Sequence, residues 1–242
     1  MPSSSPYHHV RATGFKKKLH PSSDYETLAQ KKGFKSVAGV DEVGRGCLFG
    51  PVLAAAVILD PNRPIHGLQD SKQVNTQLRE VLNTRILEMA SAFAFGAIDS
   101  TGIDRWNIRE ASRRAMQIAV QSLNVEADFL LVDAMELETD TPQKCLIKGD
   151  VRCTSIAAAS ILAKVKRDNW MKAWSKIYPL YNLSSNKGYA TPDHLEALRT
   201  HGPTPLHRFS FQPVRKADRF GLYAAIKSCR QPMPLFPEET PA

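Results

Sequence analysis

Apolar and polar positions follow two different periods along this chain, and the alternation predicts a layered domain. Short apolar runs bounded by glycine or proline are typical of buried strands. Stretches with apolar residues three or four positions apart are typical of helices that bury one face. The predicted strands cover 37–43, 51–59, 93–98, 128–133 and 144–147, and the predicted helices cover 70–90, 103–123, 154–177, 192–200 and 216–228.

The order of these elements predicts an α/β or α+β domain with a mixed sheet, because a hairpin comes first and later strands alternate with helices. Thr154 or Ser155 is the expected cap of the long helix. We expect a disordered basic arm over 1–35, with a short helical stretch near 25–30, a folded domain over 36–230 and a proline-rich tail over 231–242.

Composition narrows the class of protein. The 242 residues carry 32 basic and 24 acidic side chains, a net charge of +8, which favours polyanionic partners. The four cysteines form no CxxC pair and have no histidine cluster nearby, which argues against zinc and against a disulfide scaffold. Reduced thiols indicate a cytoplasmic protein. No apolar run approaches the length of about 20 residues that spans a bilayer, so no membrane association is expected.

Four acids stand where burial makes a charge costly. Asp41 and Glu42 lie inside an apolar strand, Asp133 ends another, and Asp168 shares a helix face with apolar residues three and seven positions earlier. A buried carboxylate needs a partner, and a divalent cation is the strongest one. Oxygen ligands without histidine or cysteine suit Mg²⁺ or Mn²⁺.

Each acid also has a plainer interpretation. Asp133 taken alone is more typical of a turn or a helix cap, and Asp168 alone of an exposed or salt-bridged helix residue. The adjacent pair Asp41 and Glu42 is harder to explain, since neighbours on a regular strand point to opposite faces. Both can line one site only if the strand bulges or ends there, and the glycines at 44 and 46 permit such a distortion.

The segment 39–46, Gly-Val-Asp-Glu-Val-Gly-Arg-Gly, followed by Gly-Pro-Val at 50–52, closely resembles the signature of the ribonuclease HII family. Several independent matches in the right order make the resemblance much more specific than a lone glycine motif. It covers roughly residues 36–215. The further matching segments are 70–72, 132–134, 148–150, 155–160, 163–168, 187–189, 202–205 and 207–208.

This resemblance implies a ribonuclease H-like three-layer fold, with a central mixed sheet flanked by helices and a C-terminal helical segment. It implies an endoribonuclease that cuts the RNA strand of RNA–DNA hybrids and cuts 5′ of single ribonucleotides in duplex DNA. Two Mg²⁺ or Mn²⁺ ions would act on the scissile phosphate and leave 5′-phosphate and 3′-hydroxyl ends. The metal-binding and catalytic residues would be Asp41, Glu42, Asp133 and Asp168.

The resemblance also implies how the substrate is held. Gly44, Arg45 and Gly46 resemble the loop that follows the backbone at the cleaved ribonucleotide, and Tyr189 matches a tyrosine that contacts the sugar at the RNA–DNA junction. Without the flanking motifs, the loop would be a plain hairpin turn and Tyr189 a packing residue. The expected phosphate contacts, each of which is otherwise an ordinary surface charge, are Lys72, Lys148, Lys164, Lys187 and Arg208.

Departures from the family pattern leave the metal ligands intact but affect the substrate loop. The competing interpretations are a ribonuclease HIII-like nuclease, an inactive nucleic-acid-binding protein, and a phosphotransferase or ATPase on a similar fold. Arg45 where ribonuclease HIII usually has lysine, and an arm of only about 35 residues, argue against the first. We expect a monomer that requires no protein partner. The departures are Cys47 for proline, Phe49 for a small residue, Ala190 for glycine, Asn186 for histidine and Phe209 for arginine.

Overall fold

A computed structural model of the protein describes residues 20–68 and 75–228. Five strands in these ranges form one sheet with the order β3-β2-β1-β4-β5. The sheet is mixed, as predicted, because β1 pairs antiparallel with β2 and parallel with β4. The strands are β1 Val37–Val43, β2 Val52–Ile58, β3 Ala92–Ile98, β4 Phe129–Asp133 and β5 Gln143–Leu146.

Helices cover both faces of the sheet and give the three layers that the family resemblance implied. Helix α3 packs on one face, while α1, α2 and the first half of α4 pack on the other. The described helices are α1 Asp24–Lys31, α2 Thr76–Met89, α3 Ser100–Gln121, α4 Thr154–Ile177, α5 Leu183–Asn186, α6 Pro192–His201, α7 Gln212–Ala217 and α8 Leu222–Ser228.

Helix α4 lies directly against the strand that carries the two adjacent acids. A Cβ atom placed on Gly39 would lie 2.2 Å from the carbonyl carbon of Ser155. Only glycine therefore allows this approach. This contact lies at the start of the helix, which is 24 residues long in all. Its second half packs in a separate apolar core with the C-terminal helices, so α4 joins the sheet to the C-terminal layer.

The C-terminal layer differs from the sequence prediction in two places. Helix α5 was not predicted, and the single helix expected over 216–228 is two helices, α7 and α8, separated by a turn at 218–221. Gly221 in this turn has a positive φ, a conformation that ends a regular helix. The carboxylate of Asp218 accepts hydrogen bonds from the amides of Leu222 and Tyr223 and so caps the new helix.

The short helical stretch expected near 25–30 is present as α1, and it packs against the domain rather than lying in a disordered arm. The cap expected from Thr154 or Ser155 is wrong: Glu26 of α1 accepts the Ser155 amide at 2.7 Å through Oε1. Residues 1–19 and the tail at 231–242 lie outside the described ranges. Among the described helices, none is long and apolar enough to cross a membrane.

Candidate active site

Three of the four singled-out carboxylates meet at one edge of the sheet. Oxygens of Asp41, Glu42 and Asp133 all lie within 4.8 Å of one another. They meet because β1 and β4 are parallel neighbours, whose carboxyl ends reach the same edge. In addition, the amide of Gly149 donates to Asp133 Oδ1 at 2.6 Å, which fixes this carboxylate at the end of β4.

The strand does not need a bulge to bring two adjacent acids together. Strand β1 keeps regular pairing with β2 through Asp41 and Glu42. Its pairing with β4 stops at Val40, which is opposite Val132. Past this point the amide of Glu42 donates to Asp41 Oδ1 at 2.8 Å. Only the pairing with β4 therefore ends where the acids begin, while β1 itself continues to Val43. The condition set from the sequence, a bulge or a strand end at the acids, was wrong, because the end of one ladder is enough.

The electrostatics of this cluster suit a cation. Burial raises the pKa of Asp41 well above its ordinary value, and the charges of Glu42 and Asp133 raise it further. Burial also raises the pKa of Glu42, although the guanidinium of Arg45, 3.0 Å away, opposes this. Among the described residues, no hydrogen-bond partner reaches the buried Oε2 of Glu42. The donor set, all hard oxygens, therefore fits a divalent metal ion.

Asp168 stands apart from this cluster. It is not among the carboxylates whose oxygens lie within 4.8 Å of one another. Instead its Oδ1 accepts a hydrogen bond from Lys164 Nζ at 2.7 Å, one helical turn earlier. Lys164 itself lines the cleft that contains the other three acids. The structure thus places Asp168 beside the cleft with a lysine as its counter-ion.

Two loops form the other wall of this cleft, which has a volume of about 480 Å³. We call Gly44–Gly50 the glycine–arginine loop and Lys187–Tyr189 the tyrosine loop. They are joined by a β-bridge between Cys47 and Tyr189, and by a hydrogen bond of 2.7 Å from the Leu48 amide to the Gly188 carbonyl. The cleft is lined by Asp41, Glu42, Asp133, Gly44, Arg45, Gly46 and Tyr189, among others.

A buried arginine that the sequence analysis did not single out organises both loops. The fully buried guanidinium of Arg167 donates to the carbonyls of Lys187 at 2.8 Å and Phe49 at 3.0 Å, and more weakly to that of Pro51. A Cβ on Gly44, whose φ is +90°, would lie 2.3 Å from Arg167 Nε. Gly44 is therefore required both for the turn and for the arginine beneath it.

Arg208 corrects one of the predicted phosphate contacts. Its side chain is completely buried and donates to the carbonyls of Gly50 and Arg45, each at 2.9 Å. A guanidinium enclosed in this way does not reach a phosphate in solvent. Arg208 instead holds the two ends of the glycine–arginine loop from inside the domain.

Comparison with known proteins decides the family. The model of the family described as Ribonuclease HII matches residues 38–214. The chain is 56% identical over 205 residues to a ribonuclease HII of Solibacter usitatus, covering 85% of this chain and 90% of that one. It is 51% identical over 193 residues to that of Bacillus subtilis, covering 80% and 76%. The chain belongs to the ribonuclease HII family.

Solved structures share the fold. The ribonuclease H2 of Pyrococcus horikoshii OT3 has a TM-score of 0.67 at 24% identity and covers 76% of this chain and 97% of that one. The ribonuclease HII of Archaeoglobus fulgidus, solved in complex with PCNA, has a TM-score of 0.59 at 22% identity, covering 81% and 98%. A Bst ribonuclease HIII in complex with Mn²⁺ has a TM-score of 0.59 at 23% identity, covering 83% and 73%.

As a member of the ribonuclease HII family, the protein is an endoribonuclease of the hydrolase class. The family acts on RNA–DNA hybrids and depends on divalent metal, with which the acidic cluster agrees. An inactive binding protein and a phosphotransferase are therefore not the best descriptions of this chain.

The remaining predicted substrate residues lie at different distances from the cleft. Lys164 lines it, Lys187 lines a small adjoining cleft with Asp168, and Lys148 is exposed just after β5. Lys72 lies outside the described residues. The sequence analysis missed three polar residues that line the main cleft: Arg79, Asp150 and Ser160. Asp150 and Ser160 lay inside matching motifs, whereas the position of Arg79 on α2 gave no signal.

The departures at positions 47, 49 and 209 fit the fold without opening the loop. Cys47 and Phe49 are both fully buried, and Phe209 is nearly so. The Cys47 amide donates to the Gly44 carbonyl at 3.3 Å. A proline at this position would lack that donor. Phe49 packs edge-on against the ring of His207 with centroids 5.0 Å apart. These side chains therefore form the inner side of the glycine–arginine loop.

Proposed function

We propose that this ribonuclease HII cuts on the 5′ side of a single ribonucleotide embedded in duplex DNA, in addition to cutting longer hybrids. One observation carries the proposal: Tyr189 and the glycine–arginine loop line the same cleft as Asp41, Glu42 and Asp133. The residues proposed to contact the RNA–DNA junction and the acids proposed to bind metal therefore face the same stretch of substrate backbone. The products would carry 5′-phosphate and 3′-hydroxyl ends.

The carboxylates are proposed to hold two divalent ions, Mg²⁺ or Mn²⁺. When bound, such ions supply Lewis-acid activation of water and neutralise charge at the phosphate. Asp41, Glu42 and Asp133 offer their oxygens directly, and Asp168 would join them on exchanging Lys164 for metal. The Mn²⁺ complex of the Bst ribonuclease HIII supports this choice of ion.

The two loops are proposed to recognise the ribonucleotide by its sugar. Burial, with a smaller effect of Cys47, raises the pKa of Tyr189 to about 12. Its hydroxyl therefore stays protonated and available to donate to a 2′-OH. The backbone of Gly44–Gly46 can approach the sugar and phosphate closely because two of its three residues lack side chains. The phosphate contacts proposed for Lys72, Lys148, Lys164 and Lys187 fix register without reading bases.

The wider setting follows from this activity. We propose that the enzyme serves ribonucleotide excision in DNA replication and repair in the cytoplasm, and that it cuts as a monomer. The Archaeoglobus fulgidus relative assembles with PCNA, so the mass and activity of the purified chain alone test the last point. A monomer that is fully active without added protein supports it, and activity that needs a partner contradicts it.

Cleavage of three labelled duplexes tests the proposal: one with a single ribonucleotide in DNA, one long RNA–DNA hybrid and one all-DNA. We expect cutting 5′ of the lone ribonucleotide that is lost in Asp41→Asn and in chelator. Asp140→Asn, a change at an exposed bend, is the matched control and should cut like wild type. Cutting of the long hybrid alone would contradict the junction role of Tyr189. Cutting that continues at the same rate in chelator would contradict the metal-binding role of the acids.

A further inference from the structure

Two buried histidines behind the tyrosine loop have no part in the proposed chemistry. His194 on α6 and His207 in the following loop are both fully buried. Their Nε2 atoms lie 3.1 Å apart. On the far side of each ring, Nδ1 meets a backbone group: the Tyr189 carbonyl for His194 and the Thr204 amide for His207. The pair therefore forms a continuous chain that ends on Tyr189.

The partners at the two ends fix the direction of every hydrogen bond in this chain. The Thr204 amide only donates, so His207 Nδ1 accepts it at 2.9 Å and carries no proton. The Thr204 hydroxyl, also 2.9 Å from Nδ1, is then a donor to the same atom. The neutral ring of His207 then has its proton on Nε2 and donates to Nε2 of His194. His194 consequently carries its proton on Nδ1 and donates at 2.8 Å to the Tyr189 carbonyl, which only accepts. One arrangement of the two neutral rings satisfies all four nitrogens.

The rings are also fixed by packing. Tyr181 lies against both, with centroids 5.0 Å from His207 and 6.2 Å from His194, and its hydroxyl donates to the Gly202 carbonyl. The residue before Tyr189 is held by a hydrogen bond instead: the Gly188 amide donates to Asn186 Oδ1 at 2.8 Å. The backbone of the tyrosine loop is thus anchored from the protein side, while Tyr189 as a residue remains 39% exposed and lines the cleft.

We propose that His194 and His207 are positioning residues for Tyr189: their directed hydrogen-bond chain sets the backbone from which this side chain enters the cleft. The inference rests on the proposed role of Tyr189 at the RNA–DNA junction. Neither histidine lines the carboxylate cleft. At a lone ribonucleotide, the contact between Tyr189 and a single sugar decides where the substrate is positioned for cutting. Loss of either histidine should therefore affect cutting at a lone ribonucleotide more than cutting of a long hybrid.

Variants of His194 separate the hydrogen bond from the packing. His194→Phe keeps a ring but removes the buried donor, so that the Tyr189 carbonyl keeps only the amide of Thr191, at 2.9 Å, as a partner. We expect kcat/KM at a single ribonucleotide to fall about tenfold, with less than about a twofold change on a long hybrid. His194→Asn, whose amide nitrogen takes the place of Nδ1, should restore most of the loss. His201→Asn, at an exposed position of the same helix, should match wild type. Equal losses on both substrates would overturn the proposal.

A double-mutant cycle with Tyr189→Ala shows whether the histidine acts through the tyrosine. In that background His194→Phe should change single-ribonucleotide cutting by less than about twofold, because the group it positions is gone. A full tenfold loss in both backgrounds means a general structural role and contradicts the inference. Thermal unfolding of each variant shows that the comparison is made on folded protein.

Imidazole ¹⁵N spectra test the chain without any cleavage assay. We expect a protonated Nδ1 on His194 and a protonated Nε2 on His207, with both protons slow to exchange. The opposite tautomers would overturn the hydrogen-bond chain whatever the enzyme cuts. If the tautomers are as expected and Tyr189→Ala cuts single ribonucleotides like wild type, the junction role of Tyr189 fails, and the positioning role fails with it, while the chain itself stands.

Discussion

The carboxylate cleft and the two loops that face it satisfy their polar groups in opposite ways. In the cleft, the charge of Glu42 adds to the cost of ionising Asp41, and Glu42 keeps a buried oxygen that no described residue hydrogen-bonds. In the loops, Arg167 binds three backbone carbonyls. The two loops thus obtain most of their hydrogen bonds from within the chain, although Nη2 of Arg208 is buried without a partner among the described residues, whereas the cleft gathers acids that suit a cation. One wall is preorganised, and the other is strained by the burial and mutual repulsion of its acids.

The largest expected effect comes from relieving that strain. Asp41→Asn should lower hybrid cleavage by at least about 10³-fold, because metal ions supply several kcal/mol of transition-state stabilisation. In chelator the same variant should unfold at a higher temperature than wild type, since it removes one of three clustered charges. Activity assays and thermal unfolding measure the two effects. A lower unfolding temperature in chelator would mean that the cleft is not strained.

The pH dependence sharpens this prediction. The pKa of Asp41 is raised in the folded state above its ordinary value of 3.8, so the folded protein favours the protonated acid. Stability from this group is present below that ordinary value and is lost as pH rises through the folded pKa. In chelator, the advantage of Asp41→Asn over wild type should therefore be small near that ordinary value and grow as the pH rises. An advantage independent of pH would exclude charge as its cause.

The opposite sign is expected in the loops. Arg167→Met leaves three backbone carbonyls without their buried donor and should lower the free energy of unfolding by about 3 kcal/mol or more. Urea denaturation measures the loss. The control is Arg199→Met, which removes an arginine whose side chain is 71% exposed. This change should alter stability by less than about 0.5 kcal/mol. A loss in Arg167→Met no greater than in the control would show that the loops do not depend on the buried guanidinium.

The sequence alone predicts the cleft better than the loops behind it. Period and burial locate Asp41, Glu42 and Asp133, because an acid inside an apolar strand is visible in a short window of sequence. The phosphate contact that the resemblance implied for Arg208 is wrong about its environment, and the local sequence offers no correction, since an arginine in a polar segment resembles a surface charge. Its burial depends on carbonyls 158 and 163 positions earlier in the chain. Contacts of that separation leave no mark on local periodicity.

Glu26 shows the same limitation at the other end of the chain. Its segment has the composition of a polar basic arm, yet the side chain is 8% exposed and caps the N-terminus of α4. Glu26 combines the features of the two regions: one carboxylate oxygen is hydrogen-bonded, as the polar groups of the loops are, and the other is not, as in the cleft. Oε1 accepts the Ser155 amide at 2.7 Å, whereas Oε2 is buried without a hydrogen-bond partner among the described residues.

The smallest expected effect therefore belongs to Glu26. Glu26→Ala removes the acceptor for a buried amide at a helix N-terminus and should lower the free energy of unfolding by about 1–2 kcal/mol. Glu26→Gln keeps an acceptor and loses only the charge, so the loss should stay below about 1 kcal/mol. Glu80→Ala, on an exposed helix surface, is the control in urea denaturation. If Glu26→Gln loses as much as Glu26→Ala, the charge rather than the hydrogen bond holds α1 to α4, and the capped helix would then resemble the cleft in depending on an electrostatic partner.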